Sequence, residues 1–117
     1  MNDERREYPK RPKSVNLVYF AVYDSRKILK QQGMGKTLNI SEGGILLETY
    51  ERILDDGLIF LSLGLKDETV DIEAKIAHFS GRGDSIYHTG LSFVIDSQEK
   101  TESIKKYIDL FESMNKQ

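Results

Sequence analysis

The residues best suited to bind a charged ligand lie in a basic arm and in a short polar turn. The arm, residues 1–13, carries five basic residues against three acids. A second basic segment, residues 25–36, has four basic residues and no acid. The turn reads Asn39-Ile40-Ser41-Glu42-Gly43-Gly44, and its paired glycines permit positive φ and a tight reversal. Two basic segments near one glycine-rich turn indicate a site for a small anionic ligand.

Composition argues against other kinds of chemistry. The chain has no cysteine, which excludes disulfides, thiolate metal ligands and cysteine nucleophiles. Its two histidines are too few for a metal cluster of their own, and the sequence shows no nucleophile–base–orienter set. We therefore expect a binding protein that is not an enzyme and that uses no metal or cofactor.

Charge and hydropathy limit the classes of partner and the cellular location that we expect for the chain. The net charge is -2, and residues 48–73 carry eight acids against two basic residues, which argues against DNA or RNA as the ligand. The N-terminus is charged from Asp3 onward and shows no apolar signal segment. The most apolar stretch, residues 58–65, is far shorter than the ~20 residues of a membrane helix. We expect a cytoplasmic protein without membrane insertion.

The elements that must position these residues are predicted to be short strands and one helix. Strands are predicted at 14–23, 36–40, 45–49, 58–65, 70–79 and 86–95. Residues 24–35 read as a polar connection. Many short strands at near-regular spacing indicate a barrel or a sandwich. We expect a flexible arm over residues 1–13 and a single folded domain over residues 14–117.

Two local patterns give more specific expectations. An amphipathic helix is predicted by the stripe Ile104, Tyr107, Ile108, Phe111 and Met114. Asp96, with Glu99 three residues later, resembles the N-cap pair of this helix. In the strand at 70–79, His78 shares the alternating apolar face with Ile76, so we expect it to pack on that face.

Taken together, the turn, the arm and the strand pattern resemble the PilZ domain family. PilZ domains are six-stranded antiparallel barrels with an N-terminal Arg-x-x-x-Arg motif and a later Asp/Asn-x-Ser-x-x-Gly motif. Residues 39–44 fit the second motif in its Asn form, and residues 88–93 are similar to the family's last strand. The resemblance covers roughly residues 4–111. It implies a mainly β fold, a six-stranded antiparallel β-barrel with a C-terminal α-helix.

The first motif is imperfect in this chain. The best register puts Arg6 first and Lys10 where the second arginine belongs, and Arg11 follows one residue late. A lysine keeps the charge but lacks the planar fork of a guanidinium. Arg11 is therefore the rival for the second position. Arg5 directly precedes the first motif arginine, and the resemblance then implies that two intercalated ligand molecules bind per chain.

The resemblance implies a bacterial receptor for the second messenger cyclic di-GMP. This ligand carries two guanines and two phosphates. Arginine forks match the O6 and N7 acceptors of guanine, while the N1–H and N2–H₂ donors need an acceptor such as the amide oxygen of Asn39. Ser41 can donate to a phosphate or accept from the base, and Gly44 permits close approach. The implied binding residues are Arg5, Arg6, Lys10, Arg11, Asn39, Ser41 and Gly44.

Such a receptor signals through a downstream partner protein or a homo-oligomer, in motility or biofilm regulation. The alternative is a degenerate PilZ-like interaction module of motility or type IV pilus machinery that does not bind nucleotide. The lysine at position 10 and the Asn form of the turn motif favour this alternative, whereas the Arg5-Arg6 pair, Ser41 and Gly44 favour the receptor. An unrelated small barrel that binds single-stranded nucleic acid would need basic stripes with exposed aromatic residues.

Overall fold

The computed structural model describes residues 16–114, which form six strands and one helix. The elements are β1 (Leu17–Tyr23), β2 (Leu29–Ile40), β3 (Gly44–Thr49), β4 (Leu58–Gly64), β5 (Thr69–Gly81), β6 (Tyr87–Phe93) and α1 (Gln98–Met114). All paired strands are antiparallel, and they close into a barrel in the order β1-β2-β3-β6-β5-β4. The predicted fold class is confirmed. Within the described range, no helix is long and apolar enough to cross a membrane.

The first strand supplies the middle of the barrel core. Val18, Phe20 and Val22 point inward and are almost completely buried. On the outer side of the same strand, Tyr19 and Ala21 are buried as well. An apolar run on both alternating faces predicts a strand covered on both sides, and β1 has this arrangement.

The second strand begins much earlier than the sequence indicates, so the predicted polar connection over residues 24–35 is wrong. Residues from Leu29 onward already pair with β1. Two inward positions of this half-strand are glycines: a Cβ on Gly33 would lie 3.0 Å from Phe20 Cζ, and one on Gly35 would lie 3.1 Å from Thr49 Cγ2. Because neighbouring side chains fill the interior here, the strand shows no apolar alternation.

The connection that remains between β1 and β2 is a tight turn organised by Asp24. Its Oδ1 accepts hydrogen bonds from the backbone N–H groups of Arg26 at 2.8 Å and Ile28 at 3.0 Å. The Ile28 amide contributes most to holding the pKa of Asp24 below its ordinary value, because hydrogen bonds to a carboxylate favour the charged form. Lys27 adopts a positive φ of 67°, which the short reversal requires.

The helix closes one end of the barrel. Of the predicted stripe, Ile104 and Tyr107 are fully buried in the core and Ile108 and Phe111 are partly buried, whereas Met114 at the end of the helix is exposed. The Tyr107 hydroxyl and Thr37 Oγ1 are hydrogen-bonded at 2.9 Å, which ties the helix to β2, and burial raises the pKa of the Tyr107 phenol. The helix N-cap is Ser97 and not Asp96, since Ser97 Oγ accepts a hydrogen bond from the Lys100 N–H at 3.2 Å.

Candidate ligand-binding cleft

Two β-bulges shape the outer face of the barrel where β2, β3, β6 and β5 lie side by side. The pairing of β2 with β3 shifts between Thr37 and Asn39. The pairing of β5 with β6 shifts between Ile76 and His78. Each bulge inserts one extra residue, which reverses the faces of the residues that follow it. Both shifts therefore turn polar side chains outward on the same side of the barrel.

The bulges align four residues in one row across this face. Asn39 pairs with Leu46, Leu46 pairs with Gly90, and Gly90 pairs with His78. Asn39 and His78 are exposed at the two ends of the row. The expectation that His78 packs on the apolar face is therefore wrong. The extra residue at Ala77 moves it to the outside, and alternation alone cannot reveal such an insertion.

The turn between β2 and β3 is held by its own polar groups. The Ser41 N–H donates to the Gly44 carbonyl at 2.9 Å, and Ser41 Oγ accepts from the Gly43 N–H at 3.3 Å. Asn39 Oδ1 accepts from the Ile40 N–H at 2.9 Å and retains a second lone pair for a ligand donor. Asn39 and Ser41 are both exposed, so neither side chain is taken up by packing.

The glycines of this turn work differently from the expectation. Among the described glycines, positive φ occurs at Gly57 and Gly83 and not at Gly43 or Gly44. A Cβ on Gly44 would lie 2.4 Å from the carbonyl oxygen of Leu91. Gly44 is thus required because β3 approaches the backbone of β6 closely, and not because the turn needs a left-handed residue.

Together these features form an open cleft of about 280 Å³ on the outer face of the barrel. Its lining consists of Asn39, Ile40, Ser41, Gly44, Ile45, Leu46, Ala77, His78, Gly90 and Leu91. The cleft brings together the three predicted site residues of the turn. None of the described lining residues is a lysine, an arginine or a carboxylate. An anionic ligand in this cleft would need its positive charges from elsewhere in the chain.

The sequence matches the model of the PilZ domain family over residues 4–110, nearly the whole chain. This chain is a PilZ domain. No curated protein matches it. The matched region begins before Arg5 and so includes the basic arm together with the turn.

Solved structures agree with this assignment at the level of the fold. The chain is similar to the PilZ domain of CeSA from a cellulose-synthesizing bacterium, with 16% identity, a TM-score of 0.57, and coverage of 85% of this chain and 92% of that one. It is also similar to apo MrkH of K. pneumonia, with 19% identity, a TM-score of 0.61, and coverage of 98% of this chain. Because it spans only 56% of MrkH, the likeness concerns one part of that protein.

The first described residue, Asn16, is bonded to β2 close in sequence to Asn39. Arg5, Arg6, Lys10 and Arg11 lie outside the described residues, which begin at Asn16. The Asn16 carbonyl accepts a hydrogen bond from the Thr37 N–H at 2.7 Å, two residues before Asn39 on β2. Lys10 is six positions before Asn16 in the sequence, and a fully extended chain of that length would span about 20 Å.

The neighbouring outer row has a different character. This row crosses the same four strands through the strand pairs Lys36–Glu48, Glu48–His88 and His88–Ser80. His88 Nε2 lies 3.9 Å from Glu48 Oε2, and both side chains are about a quarter exposed. Charged groups thus flank the uncharged cleft on its Lys36 side. In residues 16–114, no cluster of three or more potential metal ligands is found.

Proposed function

We propose that this PilZ domain is a bacterial receptor for cyclic di-GMP that binds the dinucleotide between its basic arm and the outer cleft. The observation that carries the proposal is the meeting of Asn39, Ser41 and Gly44 in one cleft, on the strand to which Asn16 is hydrogen-bonded. The cleft offers the amide of Asn39 and the hydroxyl of Ser41, and the arm has lysine and arginine residues. A ligand with two bases and two phosphates needs both.

Each part of the ligand has a proposed partner. The free lone pair of the Asn39 amide oxygen accepts from the N1–H and N2–H₂ donors of a guanine. Ser41 Oγ, already an acceptor of the Gly43 N–H, has its own proton to donate to a phosphate oxygen. Arg6 forms a bidentate hydrogen-bonded contact with a guanine edge or a phosphate, and Lys10 or Arg11 neutralises the charge of the second phosphate.

Binding is the whole of the proposed biochemical activity, with no reaction catalysed and no cofactor used. The proposal places the receptor in the cytoplasm, where the arm closes over the cleft when the ligand binds. Ordering the arm has an entropic cost, which contacts to the phosphates and guanines offset. The closed arm changes the surface that a downstream protein or a second copy of the chain meets, in motility or biofilm regulation.

Isothermal titration calorimetry of the full chain tests the proposal. Cyclic di-GMP should bind, whereas GTP, cyclic mono-GMP and a single-stranded oligonucleotide should not, because the site needs two guanines joined by two phosphates. Saturation should occur at two ligands per chain if Arg5 supports an intercalated pair, and at one ligand if it does not. Equal binding of GTP and cyclic di-GMP would refute the proposal.

The second candidate is a PilZ-like interaction module that does not bind nucleotide. The observation that favours it is Lys10, which stands where the first PilZ motif has its second arginine. The same titration separates the two functions. Absence of cyclic di-GMP binding by a folded chain, at ligand concentrations in the millimolar range, would select the interaction module.

A further inference from the structure

The imidazole of His78 lies flat on the backbone of β6. A Cβ on Gly90 would lie 2.2 Å from Nε2 and 2.6 Å from both of its ring neighbours, Cδ2 and Cε1. Nearly equal distances to three ring atoms place that position over the face of the ring and not at its edge. Because a Cβ points away from the sheet, the ring plane is roughly parallel to the sheet surface.

The opposite face of the imidazole is directed outward into the cleft. His78 is exposed, whereas Gly90 beneath it is buried. Leu46 is the next residue of the row toward Asn39, so the floor beside the ring is apolar. A flat aromatic ring on an apolar floor is a surface on which a nucleobase stacks.

From this arrangement we infer that His78 is a stacking platform for one base of the ligand, a role distinct from that of the two PilZ motifs. The inference rests on the proposed cyclic di-GMP receptor function. Asn39 and His78 are separated by three strand spacings, or about 14 Å. A ligand with two guanines can therefore present the edge of one base to Asn39 and the face of the other to His78.

The stacking platform also explains why position 90 is a glycine. Any side chain at this position would enter the space that the imidazole occupies and would lift the ring from the sheet. The platform therefore consists of two residues on adjacent strands, one that supplies the ring and one that leaves room for it. The bulge at Ala77 completes it, since it turns His78 to the outer face.

Titration of His78 variants with cyclic di-GMP tests the platform. Base stacking on an aromatic side chain is typically worth about tenfold in affinity, so His78→Ala should weaken binding by roughly that factor. His78→Phe should restore binding because it keeps a ring face, whereas His78→Gln should behave like the alanine variant. The matched control is His88→Ala, which removes the other histidine from the row beside the cleft and should leave affinity unchanged.

A double-mutant cycle tests the pairing with Gly90. Gly90→Ala should weaken binding about as much as His78→Ala in the wild-type background, because the added methyl group displaces the ring. In the His78→Ala background the same substitution should have almost no further effect. If Gly90→Ala weakens binding equally in both backgrounds, the glycine serves the cleft directly and the assigned platform is wrong.

A spectroscopic measurement distinguishes stacking from a structural role of His78. The chain has two histidines, so their ring-proton signals can be assigned in an NMR spectrum with the His88→Ala variant. Cyclic di-GMP should shift the His78 ring protons upfield, as a stacked base requires, and leave those of His88 in place. Only the platform fails if the wild type binds cyclic di-GMP without a shift of its His78 ring protons and the His78→Ala variant binds equally well. If the wild type does not bind, both proposals fail.

Discussion

The outer face that carries the cleft and the outer face on the opposite side of the barrel are built in different ways. On β1 and β4 the outer surface forms an apolar groove of about 410 Å³, which we call the β1–β4 groove. It is lined by Tyr19, Ala21, Tyr23, Lys27, Leu58, Phe60, Ser62 and Asp71. These two strands pair without a register shift, and the Tyr23 and Phe60 rings meet edge to face with centroids 6.0 Å apart.

The cleft has the opposite properties. Its strands are interrupted by two bulges, its central row contains a glycine, and its polar side chains are exposed. If the proposed function is right, regular pairing in the β1–β4 groove serves stability, while irregular pairing at the cleft positions groups for the ligand. The comparison predicts that substitutions in the groove change the free energy of unfolding and that substitutions at the cleft and arm change affinity.

The largest effect is expected from Tyr19→Ala in the β1–β4 groove. The ring is only 6% exposed, so its removal should lower the free energy of unfolding by about 3–5 kcal/mol. Urea denaturation measures this loss. Tyr19→Phe keeps the ring but removes the hydroxyl that donates to Gln32 Oε1 at 2.7 Å, and loss of that hydrogen bond should cost about 1 kcal/mol. Loss of ligand affinity in the phenylalanine variant would break the proposed division between the two faces.

Arg6→Ala is expected to have the largest effect on binding. Removal of a charged hydrogen-bonding partner should weaken cyclic di-GMP binding by about 2–5 kcal/mol. The melting temperature should stay unchanged, because the arm has no apolar residues to contribute to a core beyond Met1, Tyr8 and its two prolines. Calorimetric titration and a thermal melt measure the two quantities. Normal binding by this variant would show that the site is misplaced.

Gly44→Ala should affect both properties, since it lies where the cleft meets the barrel backbone. The added Cβ would collide with the Leu91 carbonyl oxygen at 2.4 Å, so we expect a loss of about 1–3 kcal/mol in stability and weaker binding. Gly43→Ala is the matched control, because a Cβ there meets nothing within 4 Å. Equal melting temperatures for the two variants would contradict the close approach of β3 to β6.

Lys10→Arg should tighten binding. A guanidinium can form the bidentate contact that an ammonium cannot, and a gain of about 1.4 kcal/mol corresponds to tenfold in affinity. The wild type should also depend more steeply on salt, because its contact is mainly Coulombic. Arg11→Ala is the companion variant. If it abolishes binding while Lys10→Arg has no effect, Arg11 is the second arginine of the arm and the register is shifted by one.

The smallest effect concerns Asp24, in the turn beside the β1–β4 groove. Its pKa is lowered in the folded protein, so its contribution to stability is present above the ordinary pKa of 3.8 and is lost as the pH falls through the lowered value. Asp24→Asn should remove this part of the pH dependence. Melting temperatures of the wild type and of Asp24→Asn, measured across acidic pH, give this difference in pH dependence. The two proteins should show the same pH dependence if the backbone amides of the turn do not bind the carboxylate.

The sequence predicted the fold well where apolar residues alternate in unbroken pairing. β1 and the buried stripe of α1 follow directly from the pattern. The first half of β2 was missed because Gly33 and Gly35 occupy inward positions whose space is filled from other strands. Such positions have no side chain that could carry an apolar signal.

The residues of the site were likewise predicted only in part from the sequence. The motif of residues 39–44 located Asn39, Ser41 and Gly44, which the structure brings into one cleft. His78 was assigned to the wrong face because an inserted residue leaves no trace in composition. Leu46 and Gly90 were not predicted for the site at all, since their part in the row depends on pairing between strands distant in sequence.

The closed barrel also restricts how a downstream protein can recognise this domain. Where the described strands are paired on both sides, the barrel offers no edge to which a partner could add a strand. Two extensions differ, because within the described residues 29–35 of β2 pair only with β1 and residues 75–81 of β5 pair only with β6. Recognition by β-augmentation, which reads main-chain groups and tolerates many side chains, is therefore confined to these two extensions. Elsewhere on the barrel a partner must read side chains, and its choice of target can change through single substitutions on the surface.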